Sequence, residues 1–204
     1  MRLLDMIGAL SLLVVMSPLM ALACIGIRLT SPGPVLYQAR RVGLNGKSIT
    51  MYKFRSMRLD ADKGSAITSP NDDRIFPFGS FLRASKIDEL PQLLNILTGD
   101  MAFVGPRPED ARIVAESYTD AMRETLRVRP GLTSPGTLHY MRNFGALVVD
   151  GDAEKSYLDG ALAEKLEMDR HYLARQTIIS DLTIIAQTAW LIVRRLASRR
   201  FHER

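Results

Sequence analysis

The sequence reads as that of an α+β protein, mainly helical, and three observations carry this reading. Residues Met6 to Ile27 hold no charged side chain, and an apolar run of about 20 residues is long enough to cross a hydrocarbon core. The segment from Val35 to Phe54 has the alternation and the central Asn-Gly pair of a short β-hairpin. Later stretches have the composition, caps or apolar spacing of helices. Taking the apolar segment from the 204 residues leaves roughly 175, the size of one ordinary domain. No repeat or linker divides it. Residues 1–30 are therefore assigned as a membrane anchor, and 31–204 as one membrane-associated cytoplasmic domain that is mainly helical and carries interfacial amphipathic helices.

Within the anchor, Ser17-Pro18 sits mid-run, where proline removes a backbone hydrogen bond and bends the axis. A bend invites re-entry, yet kinked spanning helices are common because water and neighbouring hydroxyls satisfy the freed carbonyl. The residues alone leave these two readings equal. A cleaved secretory signal fits worse, since its basic region would be Arg2 offset by Asp5, and Ala21-Leu22-Ala23-Cys24 is a poor cleavage site. Arg28, Arg40, Arg41 and Lys47 follow closely and place the following domain on the cytoplasmic side. Cys24, the single cysteine, excludes an intrachain disulfide and is assigned to packing or lipid contact.

Ser31-Pro32-Gly33-Pro34 stops the first helix, and two short strands follow around Asn45-Gly46, with Lys53 and Arg55 leaving the end of the second. Asp60 to Asp73 is polar and reads as a loop. Pro91 is tolerated only in a first helical turn, so the helix carrying Leu93, Leu94 and Leu97 begins near Ile87 to Leu90 and closes at Thr98-Gly99. Glu109 to Arg127 has helical composition, Ser134 to Asn143 reads as irregular, Tyr157 to Ala174 as a helix, and Ile178 to Leu196 as an apolar helix with a basic tail. That last helix suits either the headgroup layer, with Trp190 at the boundary, or a buried core position.

The densest chemistry lies between Ser85 and Asp110. Asp88 and Glu89 fall at a helix start, where amides and the macrodipole favour both an ionised carboxylate and a phosphate. A nucleophile and an anionic substrate can share that place if a cation separates them, and a divalent metal is the natural candidate. Downstream, Pro106 and Pro108 hold Arg107 with little freedom, and a planar guanidinium engages phosphate oxygens in pairs. A structural ion pair to Glu109 or Asp110 is the plainer reading of that arginine. Val128-Arg129-Pro130-Gly131 forms a second arginine-proline turn. The formal charge of +5 and pI near 9.6 suit an anionic membrane, a phosphorylated substrate or nucleic acid. Nucleic acid is disfavoured because no basic-aromatic strands, zinc-finger spacing or RNA-binding signature is present.

Taken together, several ordered segments resemble the bacterial sugar transferase family, the monotopic phosphoglycosyl transferases. They are Arg2 and Asp5, Ser17-Pro18, Tyr52-Lys53-Phe54-Arg55-Ser56-Met57, Phe78-Gly79 through Leu82-Arg83, Asp88-Glu89-Leu90-Pro91-Gln92-Leu93, Gly99-Asp100-Met101, Phe103-Val104-Gly105-Pro106-Arg107-Pro108, Val128-Arg129-Pro130-Gly131 and Asp181-Leu182. The resemblance covers nearly the whole chain. It implies transfer of a sugar 1-phosphate from a uridine diphosphate sugar to polyprenyl phosphate, with release of uridine monophosphate. It also implies a covalent intermediate on Asp88, magnesium (Mg2+) held by Glu89 with Asp88, and a membrane helix broken at Ser17-Pro18 that returns the amino terminus to the cytoplasmic face of the bacterial inner membrane. Donor, polyprenyl acceptor and phospholipid bilayer are the expected partners, and self-association stays open.

These expectations agree with the residues. An aspartate is a usable nucleophile toward phosphorus, and a hard cation lowers the repulsion between carboxylate and diphosphate. Neighbouring helical residues point about 100° apart, so Asp88 and Glu89 should have separate roles. Arg83, Lys53, Arg107 and Arg129, in declining order of specificity, are the phosphate-binding candidates, with Arg55 and Arg142 completing the set. One departure concerns the segment after Thr133, where Ser134-Pro135-Gly136 replaces a Gly-Trp-Ala pattern of many relatives and leaves donor identity open. His139, His171 and His202 have no metal-ligand spacing. Two non-enzymatic alternatives are a lipid-docked scaffold and a peripheral nucleic-acid binder.

Overall fold

The computed structural model describes residues 2–59, 61, 72–147 and 153–202. The polar loop expected over Asp60 to Asp73 falls almost wholly outside them. Helix α1 (Arg2–Thr30) is one uninterrupted helix with Pro18 inside it. Proline at 18 cannot donate to the Val14 carbonyl four residues back. The Ser17 hydroxyl donates to that carbonyl instead, at 2.8 Å, which removes the main cost of a proline in apolar surroundings. Among the described residues α1 is the one helix long and apolar enough to cross a membrane.

A hairpin follows, as expected: β1 (Leu36–Val42) pairs antiparallel with β2 (Ser48–Phe54). Its turn takes Asn45 and Gly46 to positive φ, the conformation that Asn-Gly pairs adopt readily. The free edge of β2 is closed by a side chain. Asn95, on α3 (Gln92–Thr98), donates to the Thr50 carbonyl at 2.7 Å and accepts from the Tyr52 amide at 3.0 Å. Its carboxamide thus stands in for a neighbouring strand. Helix α3 closes at Gly99 with φ 90°, as its sequence anticipates.

The run from Ile87 to Leu97 is wedged against α1 along most of its length. Near the start of α1, Ala9 packs with Met51, Leu93, Ile96 and Met101. Toward its end, Ala23 and Ile27 pack with Phe54, Phe76, Leu82 and Ile87. Each fully buried Ile or Leu contributes about 1.5–3 kcal/mol. Both ends of α1 are tied to the same body: Arg2 Nη2 donates to the Thr98 carbonyl at 3.3 Å. At the other end Arg55 donates to the Ser31 hydroxyl, the Ser31 carbonyl and the Pro34 carbonyl at 2.6–2.7 Å. Cys24 packs beside Met20 against the second cluster.

Strand β3 (Ala102–Val104) runs parallel to β4 (Gly131–Thr133). The single helix expected over Glu109 to Arg127 is instead two short ones, α4 (Ala111–Ser117) and α5 (Asp120–Arg123), followed by a 3-10 turn at Glu124–Arg127. The break has a packing cause. Tyr118 leaves the helical conformation and buries its ring with Ile113, Tyr157 and Leu166, and Thr119 caps the restart by accepting from the Met122 amide. The segment expected to be irregular from Ser134 to Asn143 forms α6 (Pro135–Leu147). Ser-Pro-Gly reads as a turn by composition, but here Ser134 accepts from the Thr137 amide at 3.0 Å and Pro135 takes the first helical position, where its missing donor is harmless. Helix α7 (Ala153–Ser156), a π turn at Tyr157–Ala161 and α8 (Leu162–Leu173) precede α9 (Ile178–His202). The α8–α9 elbow is fixed by Tyr172 and Gln176 donating to Asp181.

Replacing Asn95 by leucine should leave a part-buried amide and a part-buried carbonyl of β2 unpaired. The expected loss is about 2–4 kcal/mol, measured by denaturant unfolding in detergent, with Leu94→Ala at an exposed position as the control.

Candidate active site

The dyad is positioned by an unusual backbone step. Lys86 adopts the left-handed conformation, φ 59° and ψ 13°, and starts a 3-10 turn over Ile87–Glu89. A lysine held there costs of order 1 kcal/mol or more, and such strain clusters at functional sites. The turn brings the Lys86 ammonium to 3.1 Å from Glu89 Oε1. Arg107 Nη2 reaches the same oxygen at 2.8 Å. Burial alone would push the Glu89 carboxyl up, but Arg107, Lys86 and Lys53 outweigh it and hold the group well below the usual carboxylate range.

Asp88 has the opposite balance. It is 4% exposed, and its pKa is raised by burial first and by the charge of Glu89 second, against the opposing pull of Lys53, Lys86 and Arg83. Adjacent carboxylates are thus driven apart in acidity by their surroundings, a pattern that assigns them different work. Among the described residues, three buried side-chain polar atoms have no hydrogen-bond partner: Oδ1 of Asp88, and Nε2 and Oε1 of Gln92.

Lys53 lies near the end of β2, opposite Tyr37. Burial lowers its pKa to about 8, with Glu89 partly offsetting that effect and Arg107 adding to it. Arg83 comes from α2 (Pro77–Ala84). A Cβ on Gly79 would lie 2.1 Å from the Ser56 carbonyl oxygen, so glycine lets α2 touch the chain beyond β2. One turn later Arg83 Nη1 sits 3.5 Å from the Ser56 hydroxyl. Four cations, Lys53, Arg83, Lys86 and Arg107, therefore outnumber the two carboxylates on which their charges act.

Arg107 is braced from both sides. Its Nη1 donates to the Leu132 carbonyl at 3.3 Å. The backbones on either side cross so closely that a Cβ on Gly131 would fall 2.1 Å from the Gly105 nitrogen. Behind the turn, Glu109 accepts from Lys165 and from the Tyr157 hydroxyl, and Lys165 also lies 2.6 Å from that hydroxyl. Burial pushes the Glu109 carboxyl up, yet Lys165 holds it below its usual range. The ion pair considered between Arg107 and Glu109 or Asp110 is not formed: Arg107 pairs with Glu89, Glu109 with Lys165 and Asp110 with Arg41.

The other sequence candidates stand elsewhere. Arg55 is buried, its fork engaged with the end of α1 and its guanidinium 5.7 Å from the Phe76 ring centre, so its contacts are those of a structural clasp. The charge of Arg129 bears on Asp5, which accepts a hydrogen bond from the Phe103 backbone. Arg142 is exposed on α6. Two contributors escaped the sequence reading. Lys86 was visible as a Lys-x-x-Glu spacing, which places opposite charges on one helical face. Lys165 gave no signal, being one charged residue among several in a helical stretch.

Residues 1–195 match the model of the bacterial sugar transferase family. The chain belongs to this family. It is 37% identical over 189 residues to a UDP-glucose:undecaprenyl-phosphate glucose-1-phosphate transferase of Xanthomonas campestris pv. campestris, covering 91% of this chain and 37% of that protein. It is 36% identical over 194 residues to the exopolysaccharide production protein PSS of Rhizobium leguminosarum bv. phaseoli, covering 92% of each. With a UDP-N-acetylgalactosamine-undecaprenyl-phosphate N-acetylgalactosaminephosphotransferase of Aeromonas hydrophila it shares 31% identity over 198 residues, 96% of this chain and 44% of that one. The chain thus spans less than half the length of two of these three relatives.

Because the folded pKa of Lys53 is below its unfolded value, its charge destabilises the fold fully below about pH 8. That penalty is relieved as pH rises toward the unfolded value near 10.5. Unfolding free energies measured from pH 7.5 to 10.5 should therefore rise for the wild type relative to Lys53→Met. Parallel curves would contradict the burial of this cation.

Proposed function

We propose that this chain transfers a sugar 1-phosphate from a uridine diphosphate sugar to polyprenyl phosphate, undecaprenyl phosphate in the first instance, releasing uridine monophosphate and opening glycan synthesis on the membrane. One observation carries the proposal: a buried Asp88 with an unpaired carboxylate oxygen stands beside an ionised Glu89 amid four cations. Such a site accepts a diphosphate, whose charge the cations balance, and offers it an oxygen nucleophile. The named activities of the relatives support the same reaction class. They differ in sugar, so the donor here is left as a uridine diphosphate hexose.

In this reading Asp88 attacks the phosphorus bearing the sugar, and uridine monophosphate leaves. The acceptor phosphate then attacks the same phosphorus and frees Asp88. Two half-reactions let a soluble donor depart before a lipid acceptor enters the same place. Arg107 and Lys86 keep Glu89 ionised, while Lys53 and Arg83 face the incoming phosphates. The donor set fits magnesium: two hard carboxylates, and no group of three or more acidic, histidine or cysteine ligands among the described residues, suit an ion that takes its remaining ligands from water and substrate phosphates. Held by Glu89 with Asp88, it would screen the diphosphate from the nucleophile.

The same reading puts the enzyme on the cytoplasmic face of the bacterial inner membrane, with α1 entering one leaflet and returning. Two features support this. A helix of this length spans about 43 Å, yet Arg2 and Ser31, at its two ends, both bond to the cytoplasmic body. Exposed Leu3, Ile7, Val14, Val15 and Leu22 on α1, and Ile179, Leu182 and Trp190 on α9, are apolar surface that a bilayer would cover.

Asp88→Asn should abolish uridine monophosphate release, by at least about 1,000-fold, while membrane association persists; unchanged release would remove Asp88 from the chemistry and favour a lipid-docked scaffold. For topology, a cysteine at Leu3 in a Cys24→Ser background should react with an impermeant thiol reagent only after cells are opened. Reaction from outside intact cells would show a spanning helix.

A further inference from the structure

Gln92 is 0% exposed, and neither its amide nitrogen nor its carbonyl oxygen has a partner. The contrast with Asn95 three residues on is instructive. That amide is equally buried but fully engaged with the edge of β2. A buried carboxamide that bonds nothing destabilises the fold relative to an apolar side chain of its size, so packing gives no account of a glutamine here. The nearest unmet need in sequence is one turn back. Asp88 Oδ1 is also buried and unpartnered. Asp88 lies in the 3-10 turn over Ile87–Glu89 and Gln92 opens α3, with only the right-handed Leu90 and Pro91 between them. One orphan is an acceptor and the other includes a donor.

We propose that Gln92 positions the nucleophile: its amide N–H, unbonded to Asp88 in this structure, turns to hold the Asp88 oxygen that does not attack once the donor is in place. The assignment rests on the covalent reading given above. One Asp88 oxygen forms the bond to the sugar-bearing phosphorus as the bond from that phosphorus to the uridine monophosphate oxygen breaks, and the electron pair leaves with the nucleotide. No proton moves. The other Asp88 oxygen becomes the carbonyl of a mixed anhydride and still accepts the same hydrogen bond. When an oxygen of the acceptor phosphate attacks, the phosphorus–Asp88 bond breaks and its electron pair returns to the carboxylate. A neutral amide suits this duty better than a fifth cation. It fixes the carboxylate's rotation without offering a proton that would quench it, and it draws off less of the negative charge the attack requires.

The test uses the full chain in detergent with a uridine diphosphate sugar and magnesium, without acceptor. Mass spectrometry follows adduct formation on Asp88 over single-turnover times. Gln92→Met removes the donor at similar volume, and Gln92→Glu keeps the shape but, when ionised, cannot donate. Both should form the adduct about 10- to 100-fold more slowly, the loss of a hydrogen bond to a charged group. The donor KM should stay within about twofold, and Gln92→Met should melt no lower than the wild type. An adduct formed at the wild-type rate in both variants overturns the role of Gln92 and leaves the transfer reaction standing. A raised KM with unchanged kcat overturns it too, because Gln92 would then contact the donor. If neither variant folds, the amide is structural and the proposal falls. If the wild type releases uridine monophosphate with no adduct, the covalent reading fails and this proposal fails with it.

Discussion

Keeping Glu89 ionised where water is largely excluded is the constraint to which the rest of the domain answers. A buried carboxylate beside another carboxylate takes up a proton unless cations are fixed around it. The cations around Glu89 come from three different segments: Lys86 from the strained step before the dyad, Arg107 from the Pro-Arg-Pro turn and Lys53 from the second hairpin strand. None is adjacent to the others in sequence, and each is held by structure whose purpose is otherwise obscure. The close crossing of Gly105 and Gly131 positions the Arg107 turn. The buried trio of Glu109, Lys165 and Tyr157 stiffens it from behind.

The apolar amino-terminal helix also builds the core around the candidate site. It supplies one wall of both clusters that bury the dyad-bearing run, through Ala9 at one end and Ala23 and Ile27 at the other. The candidate site and α1 thus form one packed unit. Ile87 and Leu93, one on each side of Asp88 and Glu89 along the chain, belong to those clusters. The Arg55 clasp on Ser31 and Pro34 serves the same coupling, because it fixes where the helix ends relative to the strand that delivers Lys53. This explains how a residue chosen as a phosphate ligand from its place in a basic motif has its donors engaged elsewhere. A motif records which residues recur together, and it does not separate those that meet the substrate from those that hold the motif in place.

The errors of the sequence reading have specific causes. Glu109 to Arg127 has the composition of one helix, but burying the Tyr118 ring requires leaving the helical conformation. Ser134-Pro135-Gly136 has the composition of a turn, but serine before proline also makes a capped helix start. In both places local preference was near balance and a tertiary contact decided, at the second through Asp169, which accepts from the Ser134 hydroxyl at 3.1 Å and the Gly136 amide at 2.8 Å. Where local chemistry was one-sided, as at Asn45-Gly46 and Gly99, the expected boundaries match the structure, whereas α3 starts at Gln92, after a separate 3-10 turn over Ile87–Glu89, and not near Ile87 to Leu90.

From its sequence alone the chain was determined to have one long apolar helix, a hairpin, a mainly helical remainder, an acidic pair at a helix start and two arginine-proline turns, because each depends on residues close along the chain. Family membership was legible for the same reason, as ordered short motifs. Tertiary structure alone decided which cations surround Glu89, that Asp88 keeps an unpaired oxygen, that Arg55 clasps α1, and that Gln92 is buried without a partner. Charge balance and desolvation are summed over everything within several ångströms in space. Spacing along the chain carries no record of that sum.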